Sequence, residues 1–205
     1  MAIELPNSVF IHVPKTGGRW VKDMLLNYVE GAKPIGDAVY DSHNTPEIYD
    51  KPCFAFLRHP MTWVHSLFHH RAKKKANRNG HQWNWQEQLR LEKECKAENY
   101  EDFLKNIVNN PNVVRDYFNY YTTNHYPTIQ FGYMENLAQD LILMLDGFNE
   151  KFDEPSIQMH HKLLIGARNN EPPISVANAM IKEEYLDKMK ISEAELFKLH
   201  SKWTH

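Results

Sequence analysis

The stretch Ser8–Trp20, SVFIHVPKTGGRW, constrains this chain more than any other. A short apolar run, Ser8–Val13, stops at Pro14, as a buried strand does. Residues 14–19, PKTGGR, form a loop by their proline and paired glycines. From Trp20 to Val29 the apolar residues fall at 21, 24, 25, 28 and 29, which is helical spacing. Strand, glycine loop and helix in that order are the start of an α/β domain.

The same order recurs. Cys53–Leu57 (CFAFL) is a continuous apolar run, as parallel strands covered on both faces show. Arg58-His59-Pro60 then turns the chain, with Pro60 placed to open a helix whose face holds Val64, Leu67, Phe68 and Arg71. A third strand is predicted over Thr128–Tyr133, with a helix from about Glu135 to Leu145 ending at Gly147. An α-helical insertion, about 84–123, separates the second and third units. Residues 149–174 read as an extended surface loop holding three prolines. Two C-terminal helices follow, the first capped by Ser175 and the second by a capping box of Ser192 with Glu195. The expected fold is one α/β domain over 1–205, a parallel sheet with helices on both faces.

Composition narrows the function. A formal net charge of −2 argues against a nucleic-acid partner. No window holds eighteen successive apolar residues, so no membrane span is expected. The opening residues lack a basic n-region and a small-residue cleavage site, and read as strand, which suggests a soluble, cytoplasmic protein. Cys53 and Cys95 read as free thiols of a reducing compartment.

A loop joining a parallel strand to a helix is an anion site, because the first-turn N–H groups are unpaired and the helix dipole favours negative charge. Gly17 and Gly18 let the backbone approach a phosphate closely, Lys15 adds a point charge, Thr16 a hydroxyl and Arg19 a guanidinium fork. A glycine pair is by itself also an ordinary turn. The pattern G-x-x-x-x-G-K-[ST] is absent, as is a later strand-end Asp suited to magnesium. These absences disfavour, without removing, the alternative of a P-loop-type kinase or a non-catalytic nucleotide-binding module.

Val13-Pro14-Lys15-Thr16-Gly17-Gly18-Arg19-Trp20 resembles the 5′-phosphosulfate loop of sulfotransferases that use 3′-phosphoadenosine-5′-phosphosulfate (PAPS). The resemblance implies a P-loop-like sulfotransferase fold. It also implies that Lys15 meets the oxygen bridging phosphate and sulfuryl group, that the 16–20 backbone holds the phosphate, and that Trp20 stacks on adenine. Arg19 stands where the family has Ser or Thr. Arg58-His59-Pro60 followed by Ser66 resembles the family's 3′-phosphate motif, R-[ND]-P-x-x-x-x-x-S, with His59 in place of Asn or Asp. Tyr133-Met134-Glu135-Asn136-Leu137 is similar to the family's Y-E-D-L segment with one residue inserted. His160, His161, Lys162 and Arg168 fall where members carry a basic loop over the 3′-phosphate. The resemblance covers most of 8–66 and 128–145 and none of 70–127.

A base is needed to take a hydroxyl proton, and histidine suits neutral pH. Of the twelve histidines, His43 lies between the two phosphate motifs, in Ser42-His43-Asn44-Thr45-Pro46, which is similar to the family's T-H-x-P segment that supplies the catalytic histidine. His65 and His69, four apart on one helix, are zinc-compatible but have no third ligand in sequence. The basic run from His69 to Lys75, with Arg78, reads as a solvated helix face or a lure for an anionic ligand. Trp83 and Trp85 read as core. The expected reaction is sulfuryl transfer from PAPS to a hydroxyl or amine on a small-molecule or carbohydrate acceptor, releasing 3′-phosphoadenosine-5′-phosphate (PAP), with Lys15 and His43 catalytic and no metal.

Overall fold

The computed structural model describes residues 2–35, 50–73, 89–122, 128–167 and 183–201. The chain divides into two compact units, one of residues 1–58 and 121–171, the other of 59–120 and 172–205.

The first unit is α/β. Its strands are β1 (Ala2–Glu4), β2 (Val9–Ile11), β3 (Lys33–Ile35), β4 (Cys53–Leu57) and β5 (Gln130–Tyr133). They form one sheet in the order β3-β1-β2-β4-β5. The β2, β4 and β5 strands run parallel, in the register Ile11↔Ala55 and Leu57↔Tyr133. The expectation of a parallel sheet therefore holds for three strands only. The opening residues fold back instead: β1 pairs antiparallel with β2, and β3 antiparallel with β1. Pro6 and Asn7 turn the chain between β1 and β2, and Glu150 holds that turn, its Oε1 accepting from the Asn7 N–H (3.0 Å) and the Ser8 hydroxyl (2.7 Å).

Helices α1 (Gly18–Tyr28), α6 (Leu137–Gly147) and α7 (Glu154–Ala167) belong to this unit. Ile3, Phe10, Phe54 and Phe56 from the strands meet Val21, Leu25, Leu141, Leu145 and Ile157 from the helices in one apolar core. Burying each such side chain stabilises the fold by roughly 1.5–3 kcal/mol. Of the loop expected over 149–174, Glu154–Ala167 form α7 instead, and 168–174 lie outside the described residues. The start signal of α7 is Asp153, whose carboxylate accepts from the Ser156 N–H (3.2 Å) and hydroxyl (2.7 Å). Pro155 sits in the first turn, where a missing N–H is harmless, so it does not break the helix.

The second unit holds α2 (Pro60–Lys73), α3 (Arg90–Cys95), α4 (Tyr100–Asn109), α5 (Val113–Thr122, whose last two residues cross the boundary), α8 (Glu183–Ser192) and α9 (Ala194–Ser201). The helical insertion is thus observed, beginning among the described residues at Arg90. Trp63 packs on Tyr117 and Phe118 at ring-centroid distances of 4.8 and 5.1 Å. Arg71 is no solvated cation: it is buried and ion-paired with the fully buried Glu92. The remainder of the basic run from Lys74 on, Ser175, Trp83 and Trp85 lie outside the described residues.

The capping box also differs. Ser192 is the last residue of α8 and donates to the Met189 carbonyl (3.3 Å), while Glu195 pairs with Arg115 (2.6 Å). The residue after Ser192, Glu193, caps α5 instead, its two oxygens accepting from the N–H groups of Val114 (3.1 Å) and Arg115 (3.0 Å). Burial pushes the Glu193 carboxyl up to about 7, against the pull of those two N–H donors. A carboxyl raised from 4.5 to about 7 binds its proton more tightly when folded. Its contribution is therefore complete below pH 4.5 and is lost as pH rises through about 7, an effect of order 3 kcal/mol. The thermal midpoint should rise as pH falls from 8 towards 5, and Glu193→Gln should flatten that slope. An unchanged slope in the variant would assign the pH dependence to other groups.

Candidate functional site

The sequence feature at 12–20 is built as a strand, a turn and a helix. After β2 the chain passes His12 and the fully buried Val13 into a turn over Pro14–Gly17. Thr16, 1% exposed, donates its hydroxyl proton to the Val13 carbonyl at 2.8 Å. That proton locks the turn and is not directed at a ligand; what Thr16 offers an anion here is its backbone N–H. Gly17 caps α1 at φ 85°, a conformation side chains disfavour, and its carbonyl accepts from the N–H groups of Trp20 (3.0 Å) and Val21 (3.3 Å). Helix α1 has no side-chain cap and no acidic residue in its first turn. Its leading N–H groups and dipole are therefore matched by no carboxylate of that turn.

The two glycines serve different ends. Gly17 supplies the left-handed φ, and its α-carbon faces Leu137 and Met134 of the segment after β5. Gly18 lies under the His12 ring, so a β-carbon there would come within 1.9 Å of the imidazole Cδ2. His12 thus dictates a glycine two residues before Trp20. The sequence hint was a histidine inside a buried strand end, directly before the loop.

Lys15 holds φ 68°, rare for a lysine. Its carbonyl accepts from Nη1 of Arg58 at 3.4 Å. Arg58 directly follows β4, the parallel neighbour of β2, so both residues stand at the carboxyl edge of the sheet, where open α/β sheets bind ligands. The structure brings Lys15, Thr16, Gly17, Gly18 and Arg58 together. Arg19 is exposed in the first turn of α1.

Trp20 packs against the core, its ring meeting His161 edge-on at 5.5 Å, and its Nε1 is buried with no hydrogen-bond partner among the described residues. Tyr133 closes β5, 4% exposed; burial, with Asp140 and Glu135 adding to it, pushes its phenol up to about 12, so it stays neutral. Its N–H donates to Asp140 at 2.6 Å. The inserted residue of the Tyr133–Leu137 segment is taken up by a 3₁₀ turn, Met134–Asn136, that places Met134 beside Gly17.

The expected basic loop is a helix where described. On α7, Lys162 is exposed, while His160 and His161 face α1: His160 shares a 2.7 Å hydrogen bond with the Tyr28 hydroxyl. Ser66 is half-buried on α2, in the second unit. In that unit the His65 and His69 rings meet with centroids 4.2 Å apart, tilted at 58°, beside Tyr100, and no group of three metal-ligating side chains occurs among the described residues. His43 and Arg168 lie outside the described residues.

No family model, curated protein or solved structure matches the chain. No described helix is long and apolar enough to cross a membrane.

Proposed function

We propose that this chain is a PAPS-dependent sulfotransferase with a P-loop-like sulfotransferase fold. The observation that carries the reading is Lys15, held left-handed in a turn between a parallel strand and the start of α1, which has no side-chain cap. Such backbone strain in an L-residue marks positions kept for function. Support comes also from Arg58, set by the neighbouring parallel strand beside that turn, and from the order of the two phosphate motifs along the chain.

In this reading the N–H groups of residues 16–20 hold the 5′-phosphate. The acceptor oxygen attacks sulfur in line, and the bond from sulfur to the bridging oxygen breaks. That bond's electron pair stays on the departing phosphate, whose charge the Lys15 ammonium stabilises. The acceptor proton passes to His43. The products are the sulfated acceptor and PAP. Arg58 serves the 3′-phosphate; Arg19, Trp20, Ser66, Tyr133, Lys162 and Arg168 enter through the resemblance.

The test is a thermal shift with PAP and, separately, with ATP and magnesium. PAP at about a hundred times its dissociation constant adds about 2.7 kcal/mol to stability and should raise the midpoint by several degrees. ATP with magnesium should raise it far less. The reverse pattern would point to a kinase-type nucleotide site, and no shift with either would sink the sulfotransferase reading.

A further inference from the structure

Among the described residues three non-glycine residues have positive φ: Lys15, Asn112 and Asn149. Asparagine visits that region readily; lysine does not, so the surroundings must impose it. The contacts that act on the turn include three. Thr16 ties it to the Val13 carbonyl. Leu137 and Met134 pack where a Gly17 side chain would sit. The third, the Arg58 guanidinium on the Lys15 carbonyl, comes from a charged side chain directly after the neighbouring strand β4. The parallel register Ile11↔Ala55 carries on to bring Arg58 level with the turn.

Resting on the sulfotransferase reading, we infer that Arg58 is a positioning residue for the 5′-side loop as well as a ligand of the 3′-phosphate, and so couples the two ends of PAPS. A guanidinium has five N–H donors in a planar fork, so a bond to the Lys15 carbonyl and a bond to a phosphate are compatible. In a trans peptide the carbonyl of Lys15 and the N–H of Thr16 point in opposite directions. Fixing that carbonyl towards Arg58 therefore also fixes the direction of the Thr16 N–H, one of the donors assigned to the 5′-phosphate. A phosphate that orders the Arg58 side chain steadies the turn carrying Lys15, and a turn set by a bound 5′-group holds Arg58 in place. Reciprocity between the two subsites is then required by linkage.

The experiment compares wild type, Arg58→Ala and Arg58→Lys by calorimetric titration with two probes. PAP carries both phosphates; adenosine 5′-phosphosulfate (APS) carries only the 5′-group. Arg58→Ala should weaken PAP by about a hundredfold and APS by about tenfold, the loss of one charge-assisted hydrogen bond on the loop. Arg58→Lys should recover most of the APS affinity, because an ammonium still reaches a carbonyl, but not that of PAP, which needs the planar fork. Without ligand, the backbone amide resonances of Thr16 and Gly17 should move in Arg58→Ala while those of α7 stay. APS affinity unchanged in Arg58→Ala, with PAP weakened, would overturn the inference and leave Arg58 a 3′-phosphate ligand alone. Unmoved Thr16 and Gly17 resonances would overturn it too. Wild type binding neither probe would instead overturn the sulfotransferase reading on which it rests. Should Arg58→Ala fail to fold, Arg58→Met decides by the same two probes, since it keeps the bulk and has no donor for the Lys15 carbonyl, so APS must still weaken.

Discussion

Replacing Lys15 by alanine is expected to lower turnover by about 10²–10³-fold while moving PAP affinity only a few-fold. The asymmetry follows from what each species asks of the ammonium. PAPS, as its sulfur–oxygen bond breaks, develops charge on the bridging oxygen, and a group aimed there acts mainly in the transition state. PAP has no sulfuryl group to release. The loop proposed to hold its 5′-phosphate does so through backbone, and Lys15→Ala keeps that backbone: alanine at φ 68° meets the same constraint as lysine, with Arg58 still on the carbonyl. The measurement is single-turnover transfer from labelled PAPS beside a PAP titration. Equal losses in both would reduce Lys15 to a binding residue.

The second large effect belongs to His43. His43→Ala should cut the rate by about 10²–10⁴-fold, the usual worth of a general base, with PAP affinity nearly unchanged because the imidazole serves the acceptor. The wild-type rate should fall as pH drops below the ordinary imidazole value, about 6.5, since a protonated ring accepts no proton. The variant should lack that limb. A hydroxyl acceptor is the right substrate, as an amine brings its own titration. If His43→Ala keeps most of its activity and the acid limb, the base lies elsewhere, with Asp41, His12 and Glu135 the next groups to substitute. His12 faces a test of its own, for its ring already packs on Gly18.

The strand–loop–helix at Ser8–Trp20 was legible because its period changes sharply, from a continuous apolar run to helical spacing across two glycines. The same holds for Cys53–Leu57, buried at all five positions as its unbroken apolar pattern required. The antiparallel strands were not legible. Ala2–Glu4 and Lys33–Ile35 are three residues each, too short for a period, and are defined by pairing with distant partners. Helix α7 was obscured by Pro155, read as a breaker although it stands in a first turn. Arg71 was misread as solvated because its partner, Glu92, is 21 residues away across a segment with no periodic signal. At the site, the motif showed which residues gather at the loop. It did not show that the Thr16 hydroxyl is spent on Val13, that His12 demands Gly18, or that Arg58 reaches Lys15, since each is a through-space contact.

The outermost strand has a consequence of another kind. A sheet that stops presents a rim of open donors and acceptors, and a second chain can add to it and start a stack. Strand β3 is poorly made for that. It is three residues long, its centre is Pro34, which has no N–H to offer, and the exposed Lys33 puts a cation beside it, held by Glu4 at 3.1 Å. A newcomer strand would find a short ladder with a rung missing and a charge to desolvate. The rim defended by Lys33 and Pro34 thus resists self-association at that edge, and it does so with residues apart from the turn at the opposite end of β2.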